Sequence, residues 1–211
     1  RSGMVYLRLA LGRSRRGDKQ KAQRIVSGIE ADPELRLDEY DKAVLCSIRA
    51  DLRVGTNPVI DYKEAAGWFG KHDYWWEAGW AYNNLGVLLQ ERENSSEAAM
   101  AYRQALTCFV TAANAADISR AGANLRSLVQ DNADMKEYCE AIGRAAGKAS
   151  RLSAQNRLRT MGTLCVELLE TGRDRGLLSK GIEAKNNLLA LTMDVFAAHV
   201  PNAWQMELRN A

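Results

Sequence analysis

Along this chain apolar residues return every third or fourth position, in stretches of roughly fifteen to twenty residues separated by polar, glycine-bearing or proline-bearing breaks. That spacing places apolar side chains along one face of an α-helix. Alternating runs of Val, Ile, Thr and aromatic residues, which would mark strands, are missing. The pattern predicts an all-α chain with no sheet. Its helices would cover about 4–13, 18–31, 37–54, 61–71, 74–92, 95–115, 117–130, 134–149, 152–171 and 174–199.

The breaks have identifiable causes. Pro33 in Ala-Asp-Pro-Glu-Leu stops the second helix, because its ring and missing N–H cannot continue the ladder, and Pro201 ends the last. In Glu-Asn-Ser-Ser the hydroxyl of Ser95 or Ser96 is expected to cap the helix that follows, with Glu97 favoured by the positive end of its dipole. About ten helices joined by short loops read as stacked hairpins in one domain over 1–211.

One hairpin carries a recognisable motif. Tyr82, Leu85, Gly86 and Leu89, followed by Ala98, Tyr102 and Ala105, fit the pattern W-x2-L-G-x2-Y then A-x3-F with aromatic and aliphatic replacements. Over about 79–112 the chain resembles a tetratricopeptide repeat. Ala22 in Gly-Asp-Lys-Gln-Lys-Ala, with Pro33 closing, and the pair Ala65 and Phe69 resemble other parts of the repeat, and beyond residue 117 the hairpins are divergent. The resemblance implies a right-handed α-solenoid, a tetratricopeptide-like superhelix whose concave groove receives a protein or peptide.

Gly86 fits that picture, since an interior helical glycine costs roughly 1 kcal/mol against alanine and a close helix crossing opposite Ala98 would justify it. Tyr82, Leu85 and Leu89 form the stripe expected to face the hairpin core. A second stripe, Trp76, Trp80, Asn83, Val87 and Gln90, also steps by three or four residues and faces elsewhere. Two readings stay open for it. The indoles and amides suit an extended peptide in the groove, or Trp76 and Trp80 pack on the preceding hairpin around Trp68 and Phe69.

Charge adds one feature. The net value of +3 is modest, but eight basic residues and a single acid lie between Arg1 and Arg24. Arg13, Arg15, Arg16, Lys19 and Lys21 are therefore candidates for contact with an anion or nucleic acid, with a second basic stretch over 144–159. A solvated turn and helix face, and the remnant of an Arg-rich organellar targeting segment, are the competing readings.

Candidate chemistry is sparse. With 46% hydrophobic residues the chain can bury a core, yet no apolar run reaches the roughly 18–20 residues of a membrane span. Cys46, Cys108, Cys139 and Cys165 lack Cys-x-x-Cys spacing, so four reduced, mostly buried thiols in a reducing compartment such as the cytoplasm are expected, with no metal and no cofactor. His72 and His199 lie far apart, no nucleophile elbow or phosphate loop occurs, and Glu91, Glu93, Glu167 and Glu170 read as solvated helix faces. The expectation is a non-catalytic adaptor for a peptide or partner subunit, acting alone or within a larger assembly; the alternative is a nucleic-acid-associated helical-repeat protein.

Overall fold

The structure is a computed structural model in which residues 10, 17–54, 57–129, 132–149 and 151–174 are described. Eight helices run through them: α1 (Lys19–Ala31), α2 (Glu39–Leu52), α3 (Pro58–Lys71), α4 (Trp75–Glu91), α5 (Ser95–Thr111), α6 (Ala115–Ser127), α7 (Asn132–Ala149) and α8 (Ala154–Asp174). No strand occurs among the described residues. Of the ten helices expected, those near 4–13 and 174–199 fall outside the described residues, Ala10 excepted, which is helical.

Several helix ends differ from the sequence expectation, α5 by stopping at Thr111 rather than near 115, and three local features have a visible cause. Helix α3 starts at Pro58, three residues earlier than expected, because the Asn57 side chain accepts the Val59 N–H at 3.1 Å and proline is well suited to the first helical position. The cap of α5 is Asn94 rather than Ser95 or Ser96. Its Oδ1 accepts the Glu97 N–H at 3.3 Å while its Nδ2 donates to Glu97 Oε1 at 3.0 Å, a reciprocal arrangement that satisfies an otherwise orphaned N–H. Helix α8 continues to Asp174, through Gly172, since one interior glycine weakens a helix without ending it.

Four helix ends share one geometry. Arg53, Asp73, Glu93 and Ala113 adopt left-handed backbone with φ of 56°, 63°, 60° and 57°. The residue after each donates its N–H back across the turn: Val54 to the Arg49 carbonyl at 3.0 Å, Tyr74 to Phe69 at 2.9 Å, Asn94 to Leu89 at 3.0 Å and Asn114 to Phe109 at 3.0 Å. These are Schellman turns, which satisfy carbonyls that the helix itself leaves open. They fall 20 residues apart along the chain.

The chain divides into two compact units, 1–101 and 102–211, with the boundary inside α5. In the first, α1 packs on α2, α2 on α3 and α3 on α4. Its core begins with Ala22, Val26 and Ile29 of α1 against Leu45, Ile48 and Leu52 of α2 and continues through Ala65, Ala66 and Phe69 of α3. Leu85, Gly86 and Leu89 of α4 and Ala98 of α5, the motif positions of the recognisable hairpin, are buried there, and Tyr82 is half-buried. In the second unit α8 packs on both α6 and α7, and Tyr138, Ile142, Met161, Leu164 and Leu168 are fully enclosed.

Next-but-one helices also touch. Tyr40 of α2 donates its hydroxyl to Glu77 of α4 at 3.3 Å, and Lys63 of α3 pairs with Glu97 of α5 at 3.4 Å. Arg103 of α5 pairs with Glu137 of α7, and Arg126 of α6 with Glu167 and Glu170 of α8. This pattern is the mark of hairpins laid against their neighbours within each unit.

Candidate functional site

Helix α4 carries all five residues of the expected binding stripe, and the structure separates them by exposure. Trp76 and Val87 are each 39% exposed and Gln90 is exposed, whereas Trp80 is half-buried and Asn83, at 3% exposed, is interior. Trp76 and Trp80 meet edge to face, with ring centroids 6.3 Å apart and planes at 75°.

Beside this face lies a depression of about 240 Å³ among α2, α3 and α4. Its polar floor is a triad that sequence spacing did not reveal. Asp51 at the end of α2 accepts the Tyr62 hydroxyl of α3 at 2.5 Å and the Asn84 amide of α4 at 3.1 Å, both on Oδ1. Burial pushes the Tyr62 phenol well above its ordinary range, with the Asp51 charge and hydrogen bond acting in the same direction, so Tyr62 stays a donor. Arg53 and Glu91 pair across the rim, and Val87 supplies an apolar wall. Val87 is thus common to the expected stripe and the depression. Asn84, not Asn83, faces the depression: one residue turns a helix by about 100°.

A rigid carboxylate held by two donors beside an exposed valine can recognise a chain by its backbone or by a polar side chain. Burial keeps the thiols protonated: it pushes Cys108 up to about 12 and Cys165 up to about 11, and also raises Cys139. Burial likewise raises Cys46, helped by the nearby Asp61 carboxylate. All four cysteines are unbridged. His72, exposed at the end of α3, stacks on Trp68 with centroids 4.3 Å apart, and His199 lies outside the described residues.

Among the basic candidates, Lys19 and Lys21 are exposed on α1, and Lys21 pairs with Asp18 at 3.0 Å. Arg13, Arg15 and Arg16 lie outside the described residues. In the second basic stretch Arg144 pairs with Glu140 at 3.5 Å, while Lys148, Arg151 and Arg159 are exposed.

One expected solvated acid is interior. Glu167 is 2% exposed, and its Oε2 accepts from Arg126 Nη1 at 3.2 Å; the same nitrogen reaches Glu170 at 3.1 Å. The helical period of the surrounding apolar residues carries position 167 inward, and the Arg126 pair is what makes a carboxylate tolerable there.

No protein-family model matches the chain, and no curated protein is similar to it. Among solved structures it is similar to a crystal structure of nearly identical TPR-like repeats, of kinesin-light-chain type, from Podosopora anserina. The identity is 15% and the TM-score 0.49, over 94% of this chain and 97% of that one. The hairpins described above rest on this chain's own turns, caps and packing. No helix among the described residues is long and apolar enough to cross a membrane.

Proposed function

We propose that this chain is a non-catalytic helical-repeat module that binds a peptide segment or a partner subunit on the face formed by α2, α3 and α4, within the reducing cytoplasm. The observation that carries this reading is the Asp51–Tyr62–Asn84 triad set beside exposed Val87. Exposed apolar area supplies affinity, and a preformed polar floor orients the ligand without paying for ordering on binding. Trp76 extends the apolar face along α4, and Gln90 offers an amide that can pair with a peptide backbone. The half-buried Trp80 supports Trp76 from below, and interior Asn83 belongs to the scaffold of this face.

The test is selection of binders from a random peptide library against the whole chain, followed by titration. Peptides whose affinity falls at least about tenfold on Val87→Asp and on Asn84→Ala, at unchanged melting temperature, support the assignment. Selected peptides that bind these variants as tightly as the parent refute it.

A further inference from the structure

Helices α2 and α3 bring together three metal-ligating side chains that peptide binding leaves unused. Cys46 belongs to α2, while Asp61 and Glu64, three residues apart, share a face of α3. The Cys46 Sγ, a carboxylate oxygen of Asp61 and a carboxylate oxygen of Glu64 all lie within 4.8 Å of one another.

Asp61 is what separates this cluster from a chance meeting of surface acids. Its side chain is 7% exposed, so more than nine-tenths of it is buried. Oδ1 faces Arg49 Nη2 at 3.3 Å, but Oδ2 is buried and accepts no hydrogen bond. A buried carboxylate oxygen in that condition lacks what normally offsets its desolvation. Arg49 cannot neutralise the surroundings alone, because its Nε also lies 3.7 Å from Glu30. Glu30, Asp61 and Glu64 against one guanidinium leave negative charge in excess, and Cys46 adds to it once it binds as a thiolate. A divalent cation offsets most of that excess.

The donor set selects among such cations. Sulfur disfavours Mg²⁺ and Ca²⁺, which take oxygen, whereas one thiolate with two carboxylates suits Zn²⁺ in a tetrahedron completed by water. Glu64 is exposed, so its side chain has room to close onto an ion. We propose that Cys46, Asp61 and Glu64 form a Zn²⁺ site that ties α2 to α3. On binding, the Cys46 thiol gives its proton to solvent and coordinates as thiolate. The site stands apart from the peptide-binding reading, and either can fail without the other.

The experiment is titration of the reduced, full 211-residue chain with Co²⁺. A thiolate-to-cobalt charge-transfer band that saturates at one equivalent and is displaced by Zn²⁺ is expected, with a rise in melting temperature on adding Zn²⁺. Cys46→Ser should abolish the band and Cys108→Ser should leave it. Glu64→Gln, at an exposed position, should weaken binding at least about tenfold while the metal-free melting temperature stays at the parent value. That variant decides the question even if Cys46→Ser fails to fold. Absence of the band, its survival in Cys46→Ser, or an affinity indifferent to Glu64→Gln would overturn the site.

Discussion

Glu167 on α8 lies against the backbone of Gly122 on α6 so closely that a methyl group on Gly122 would fall 2.8 Å from the Glu167 Oε2. At that distance the buried Glu167 side chain would have to shift, so Gly122 leaves the space into which the carboxylate fits, and Arg126, one turn further along α6, pairs with it there at 3.2 Å. Absent side chain and buried charge are two halves of one arrangement.

The first prediction follows from that contact. Gly122→Ala should destabilise the protein by about 1–3 kcal/mol, because the new methyl group displaces Glu167 from its place beside Arg126. In a Glu167→Ala background the clash is gone, and the better helix propensity of alanine should then make the same change neutral or stabilising by up to about 1 kcal/mol. Urea denaturation of the four proteins in this cycle checks the sign change; an equal cost in both backgrounds rejects the contact.

A second concerns pH. Burial raises the Glu167 carboxyl, the Glu170 charge adds to the effect, and the Ser119 hydrogen bond and Arg126 oppose it. A carboxyl whose folded value lies above its unfolded value binds its proton more tightly when folded. Its contribution is therefore fully present below the ordinary glutamate value of 4.5 and is lost as pH rises through the raised folded value. Glu167→Gln removes that loss while Glu170 still holds Arg126. Unfolding free energy measured from pH 4.5 upward should fall less steeply with pH in the variant than in the parent, and parallel curves would count against it.

A third tests the turns. Glu93 and Ala113 sit at φ of 60° and 57°, where a Cβ costs roughly 1–2 kcal/mol and glycine pays only extra chain entropy. Glu93→Gly and Ala113→Gly should each stabilise by about 0.5–1 kcal/mol, and Ala113→Val should do the opposite. Thermal melts that order these variants otherwise would contradict the turn geometry.

The fourth separates the two tryptophans of the aromatic pair. Trp80→Ala should cost about 3 kcal/mol or more, because it empties space behind a half-buried ring, while Trp76→Ala at its exposed position should change the melting temperature little. With a selected peptide in hand, Trp76→Ala should lower affinity by about 1–2 kcal/mol per folded molecule. Equal melting losses for the two variants would mean that Trp76 is core as well.

Helices were the legible part of this sequence, because a 3.6-residue apolar period survives in α1 through α8 and asparagine, aspartate and proline mark several starts. Their ends were harder to read. Arg53, Asp73, Glu93 and Ala113 occupy positions where glycine is the usual signal, so the regular 20-residue recurrence of the turns does not appear as a recurring residue. Of the expected stripe on α4, Trp76, Val87 and Gln90 are exposed, Trp80 is half-buried and Asn83 is interior, a difference in exposure that helical spacing alone does not carry. The hydrogen bonds that Tyr62 and Asn84 donate to Asp51 left no local signal, since they depend on three helices meeting. The same holds for Cys46 and Asp61, which stand 15 residues apart on different helices.

Because the turns at Arg53, Asp73, Glu93 and Ala113 are spaced evenly and built alike, the forty residues from Tyr74 to Ala113 start just after one such turn and finish on another of the same form. A tandem duplication of that stretch would therefore join Ala113 to a second Tyr74 with the backbone already in the conformation the junction needs. Unequal recombination could lengthen or shorten this protein by a whole hairpin without inventing a new connection. Such a chain is open to evolutionary change in length by steps of one hairpin, with the size of the step written into its turns.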